Sequence, residues 1–163
     1  MTDKQKELVR EWLSDAHAME AHAEQLFSKQ AERFKNYAAL QSKLKSDLNR
    51  IVENQVALSI RMQQLGSSSS IIKDAAAKVF AGVQNMSVLA VSDEPVKGIL
   101  AIHTFTQLAI GSYNILVTAA DAIGDEETKT LCQTLLDQVQ VRAHWISEEL
   151  GSITRTYILE TSE

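Results

Sequence analysis

Turn-forming residues are scarce in this chain, which has one proline and six glycines among 163 residues. Such a supply is too small for the many tight turns of an all-β protein, while Ala, Leu, Gln, Lys and Glu favour helix. The lone cysteine, Cys132, excludes an internal disulfide framework and fits a reducing compartment. Basic patches are lacking as well. The net charge is −5 and spread along the chain, so nucleic acid is not an expected partner. No stretch approaches the roughly 18 uninterrupted apolar residues of a membrane span. The most apolar region, Ile99 to Val117, is broken by His103, Thr104, Thr106, Gln107, Ser112 and Asn114 and reads as a buried core helix. No basic start precedes a long apolar run near Met1, so no signal peptide is expected. A phosphate-cradling glycine loop, a nucleophile elbow and a zinc motif are also missing. The expectation is one soluble, cytoplasmic domain over residues 1–163, with no membrane partner.

What is present is helical periodicity. A first helix is expected from about residue 3 to 34, with Thr2 and Gln5 spaced as a capping box. Its apolar stripe is Leu13, Ala16, Glu20, Ala23, Phe27 and Phe34. A second runs from Tyr37 to Gly66, with Leu44, Leu48, Ile51, Gln55, Leu58, Met62 and Leu65 as its seam and Gln55 a candidate for setting register. Ser67 to Ser70 reads as a solvated connector, and a short helix is expected from Ile72 to about Leu89. Ser92-Asp93-Glu94-Pro95 marks the start of a third long helix, which runs to Ile123. That helix is apolar nearly all round and is expected to be the most buried. Gly124-Asp125 ends it, and a fourth runs from Glu126 to about Leu150, with Ile153 and Tyr157 as a possible continuation.

Short links within each pair and about thirty residues between the pairs give an all-α, four-helix bundle. Its long crossover carries a short extra helix, the connection found in ferritin-like folds. Near mid-length each long helix turns a polar residue inward: Glu20, then Asp47 or Arg50, then Thr106, then Gln138. Of these Glu20 is a good metal ligand and the others are poor ones. His17, Glu20 and Glu24 share a face of the first helix and form a weaker mononuclear candidate, with His103 or His144 as completing residues. Surface solvation explains that triplet more simply. His103, Tyr113 and Cys132 read as core residues, the hydroxyl of Tyr113 satisfied and the thiol inert. His144, beside Trp145, reads as an interface or edge residue.

Trp12-Leu13-Ser14-Asp15-Ala16-His17-Ala18-Met19-Glu20 resembles the opening of the YciE/YciF family of bacterial stress-associated proteins. Ile72-Lys73-Asp74, Ser92-Asp93-Glu94-Pro95-Val96-Lys97-Gly98 and Ala143-His144-Trp145 extend the likeness over nearly the whole chain. The resemblance implies a dimeric ferritin-like bundle, a core like those of di-iron carboxylate proteins, and a role in osmotic or envelope stress. It also implies a His and a Glu in the second helix, where Asp47 and Arg50 stand here. Paired Glu residues in the third and fourth helices are replaced by Thr106 and Ala109 and by Gln138 and Val139. Glu20 alone is kept. The expectation is therefore a non-enzymatic, metal-free homodimer, with an unknown protein partner possible. Iron or manganese oxidoreductase or storage chemistry is the alternative. A buried Glu20 without a metal needs another cation, and Arg50 is the expected one.

Overall fold

The computed structural model describes residues 2–68, 70 and 95–161. Helix α1, Asp3–Arg33, begins at the capping box: Gln5 N donates to Thr2 Oγ1 at 3.3 Å and Thr2 N to Gln5 Oε1 at 2.7 Å. Its buried face includes Leu13, Ala16, Glu20, Ala23 and Phe27, the stripe expected from spacing. A turn through Phe34 and Tyr37 leads into α2, Ala38–Gln64, which has no side-chain cap. The Gln41 amide fastens that start by donating to Ala31 O at 2.8 Å.

The seam of α2 differs from the apolar one expected. Its buried residues are Leu40, Leu44, Asp47, Ile51, Asn54, Leu58, Arg61 and Met62, while Leu48, Gln55 and Leu65 are only half-buried. The inward face is thus rotated toward three polar residues spaced seven apart, Asp47, Asn54 and Arg61. Partners outside α2 make the burial of Asp47 and Arg61 tolerable, and apolar spacing alone does not register them. Gln55 donates to Glu24 across the flank at 2.7 Å rather than setting register within the seam.

The expected short helix over Ile72 to Leu89 lies outside the described residues, as do Ser92-Asp93-Glu94. Of the serine connector, Ser67 is buried. Helix α3, Pro95–Ile123, packs most extensively on α4, Glu126–Glu160, and also against α1, while α1 packs on α2. The fourth helix runs ten residues past Leu150, since Ile153 remains buried and continues its apolar stripe. Four helices and no strand are found among the described residues, an all-α four-helix arrangement.

Helix α3, apolar nearly all round and expected to be the most buried, leaves Leu100, Leu108 and Ile115 exposed on its outer side. By length and composition it could cross a membrane, its most apolar window having a mean hydropathy of 1.2 with 44% of it buried. One helix near this threshold is weak evidence of a span, because the core helix of a bundle satisfies the same criterion.

Two close contacts set the geometry. Gly98 lies against α1 so tightly that a Cβ there would stand 2.6 Å from Gln30 Oε1 and 3.4 Å from Phe34 Cζ. Gly98→Ala gains helix propensity but must push aside two buried side chains, so a net loss of about 1 kcal/mol is expected in urea unfolding. At the other contact, Gly124 takes φ 71° and passes the chain to Asp125, whose carboxylate caps α4 by accepting from Thr128 N at 3.1 Å. Arg61 of α2 donates to Asp125 Oδ1 at 2.6 Å and to Thr128 Oγ1 at 2.8 Å, binding the end of one hairpin to the start of a helix in the other.

Candidate functional site

The inward polar residues converge in the interior of the bundle. Glu20 of α1 is 1% exposed, and its Oε1 accepts from the Tyr113 hydroxyl of α3 at 2.5 Å. Asp47 of α2 is also buried and accepts from Trp145 Nε1 of α4 at 2.9 Å. Arg142 of α4 is interior as well, only 2% exposed. Its Nε lies 3.8 Å from Asp47 Oδ2, and its guanidinium sits over the Phe27 ring with the carbon 5.1 Å from the centroid. That ring is itself fully buried, so Arg142 lies against an aromatic face and beside the Asp47 carboxyl.

Burial dominates the electrostatics here. It pushes the Glu20 carboxyl above the ordinary 4.5, and the charge of Arg142, the bond from Tyr113 and the amide of Asn54 only partly oppose it. Asp47 is likewise raised above 3.8 by burial, against the charge of Arg142, the bond from Trp145 and the more distant charge of Arg50. The Tyr113 phenol is pushed well above 10 by burial and by the adjacent Glu20. Tyr113 therefore donates to Glu20 and keeps its proton.

Several buried polar atoms lack a hydrogen-bond partner, among them Glu20 Oε2, Asn54 Nδ2, Gln138 Oε1, and Nε and Nη2 of Arg142. Asn54 bears on Glu20 without a hydrogen bond to it. A pair of iron or manganese ions does not fit this donor set. Ferritin-like di-metal sites use about four carboxylates and two His to offset their charge. Here Glu20 and Asp47 are the two carboxylates, and the guanidinium of Arg142 stands beside Asp47 with its charge acting on both. Among the described residues no group of three or more His, Cys, Asp or Glu side chains is placed to hold an ion.

The expected partner of Glu20 is corrected. Arg50 is exposed and Arg142 is the buried cation. Arg50 lies three residues beyond the inward Asp47, at a position that turns outward on α2. Thr106 is buried but donates to Ile102 O of its own helix at 2.8 Å, so it does not assist Glu20. Ala109 and Val139 are core apolar residues, and Gln138 is half-buried. The triplet His17, Glu20, Glu24 is split: Glu20 bonds Tyr113, whereas Glu24 bonds Gln55 beside His17 in the groove between α1 and α2. His103 is half-buried with Nδ1 unpartnered, and His144 is an exposed neighbour of Glu148 at 3.7 Å. Cys132 is buried, and burial together with the charge of Asp125 pushes its thiol up to about 12, which keeps it protonated.

Apolar spacing registers neither Arg142 nor Asn54. A signal existed for each: Arg142 follows Gln138 by four residues, and Asn54 follows Asp47 by seven, so both continue inward stripes.

These features define an all-α four-helix protein with a carboxylate, phenol and guanidinium core. The chain belongs to the family described as "Domain of unknown function (DUF892)", whose sequence profile matches residues 4–159. It is similar in fold to the crystal structure of a protein from Xanthomonas campestris pv. campestris, with 22% sequence identity and a TM-score of 0.80. That likeness covers 98% of this chain and 99% of the other.

Proposed function

We propose that this chain is a non-enzymatic, metal-free, ferritin-like protein of the YciE/YciF kind, acting in stress physiology through binding or dimeric assembly in the cytoplasm. The observation that carries the reading is the outer face of α3. Leu100, Leu108 and Ile115 are 42%, 50% and 57% exposed, spaced eight and seven residues apart. No charged residue occurs from Gly98 to Ala120. Gly111 stands on the same stripe, with nothing within 4 Å of where a Cβ would be. An uncharged apolar stripe with a small residue at its middle suits close approach of a second copy about a two-fold axis.

Sedimentation velocity at micromolar concentration tests this. A dimer is expected for the natural chain and a monomer for Leu108→Glu, with the helical circular dichroism of both alike. A monomeric natural chain would refute assembly through α3.

A further inference from the structure

We propose that the dimer is an antiparallel two-fold pairing of α3 in which Leu108 of each copy fills the hollow between α1 and α3 of the other. This rests on the α3 assembly proposed above and deepens it by naming the seat that the second copy completes.

The hollow belongs to a single chain and stands open. Trp12, Asp15 and Ala16 of α1 and Ser112, Ile115 and Leu116 of α3 line a cavity of about 320 Å³. Dry protein cavities of roughly 150 Å³ already hold a benzene, so a leucine side chain has room here. Its walls are mostly apolar, and two of them, Trp12 and Ile115, are 36% and 57% exposed. Asp15, the charged residue of the lining, is exposed to water.

Symmetry and charge choose the occupant. Leu108 and Ile115 stand equally far from the Gly111-Ser112 pair, so a two-fold axis through that pair sets Leu108 of one copy beside Ile115 of the other. Both residues at the axis are small, and nothing lies within 4 Å of a Cβ built on Gly111, so the helices can approach closely. Ile115 is a wall of the hollow, and the exposed Leu108 brought beside it has that hollow to enter. A chain of net charge −5 meets its own copy most cheaply through a face without acids, and α3 carries no charge between Lys97 and Asp121. Antiparallel pairing turns the Lys97 end of one helix toward the Asp121 end of the other and opposes the two helix dipoles. A parallel pairing would set each of these charges against its like.

Crosslinking and dissociation measurements test it together. Leu108→Cys and Ile115→Cys chains are mixed and treated with a short bismaleimide, with the natural chain as control because its Cys132 is buried. The mixture should crosslink several times more than either variant alone. Dimer dissociation is then measured for Leu108→Ala, Trp12→Ala and the two combined. Each single change should weaken the dimer about a hundredfold, since the two-fold axis removes each contact twice, and the combination should weaken it little further. Should Trp12→Ala be unfolded by circular dichroism, Ser112→Leu, which fills the hollow from its own chain, replaces it in the cycle with the same expectation. Leu108→Cys that crosslinks to itself better than to Ile115→Cys would show a parallel pairing and overturn the proposal. So would a dimer whose Kd is unmoved by the hollow substitution, or two substitutions whose effects multiply. Those results leave dimerisation through α3 standing, whereas a natural chain that sediments as a monomer overturns both.

Discussion

Arg61→Ala is expected to destabilise the chain by about 3–5 kcal/mol, the usual range when one partner of a buried ion pair is removed. Arg61 is 9% exposed and Asp125 7%, so the carboxylate left behind would be largely cut off from water. The loss spreads further because Asp125 is also the cap of α4, bonded by both the backbone and the hydroxyl of Thr128. Glu127, bonded to Arg61 as well, is mostly exposed and adds little. Arg61→Lys keeps the charge but cannot reach Asp125, Thr128 and Gln64 with one fork, so it should recover less than half of the loss. Urea midpoints at constant slope measure both variants. A shift under 1 kcal/mol for Arg61→Ala would mean that the hairpins are joined by apolar packing alone.

This pair has a pH signature whose sign is fixed. Burial would raise the Asp125 carboxyl, but the bonds from Thr128 and the bond and charge of Arg61 outweigh it and hold the group below 3.8. A depressed carboxylate stabilises the fold fully above its unfolded value, and that contribution is lost as pH falls through the folded value. The acid limb of the stability curve, below about pH 4, should therefore flatten in Asp125→Asn.

The capping box at Thr2 and Gln5, the Gly124-Asp125 link and the α1 stripe were readable because each depends on residues close in sequence. The α2 seam was not. An apolar scan selects Leu48 and Gln55, whereas the fold turns inward Asp47, one of the two polar candidates, and Asn54; Trp145 on another helix gives Asp47 its partner, while Asn54 Nδ2 has none. Arg142 escaped for the same reason. Arginine is ordinarily a surface residue, and its burial here depends on Phe27, Asp47 and Glu20, which are about 95–122 positions away in sequence. Sequence reasoning did identify the need for a cation beside Glu20. It chose Arg50, one turn from Asp47, where the fold supplies a side chain from the last helix.

Tyr113→Phe is expected to cost about 1–3 kcal/mol, since Glu20 would lose the donor to Oε1 while Oε2 already has none. The magnitude should depend on pH in a defined direction. Glu20 titrates above 4.5 in the folded chain. Between 4.5 and that folded value the native protein holds a proton that the unfolded chain has released. Stability contributed by this group therefore falls as pH rises through the window and levels off above it. The Tyr113 bond opposes the upward shift, so its removal lengthens the decline and makes Tyr113→Phe more costly near pH 8 than near pH 4. Glu20→Gln keeps an acceptor for the phenol and cannot ionise, so its stability should lack this decline, and adding Tyr113→Phe to it should cost nearly the same at both pH values. Asp47, raised like Glu20, contributes a decline of the same sign in every variant and leaves the comparison intact. Thermal or urea unfolding of the four chains across pH 4–8 measures the coupling. Equal costs of Tyr113→Phe at both ends would show that the phenol meets Glu20 only as a neutral acid, with no ionised carboxylate for Arg142 to balance.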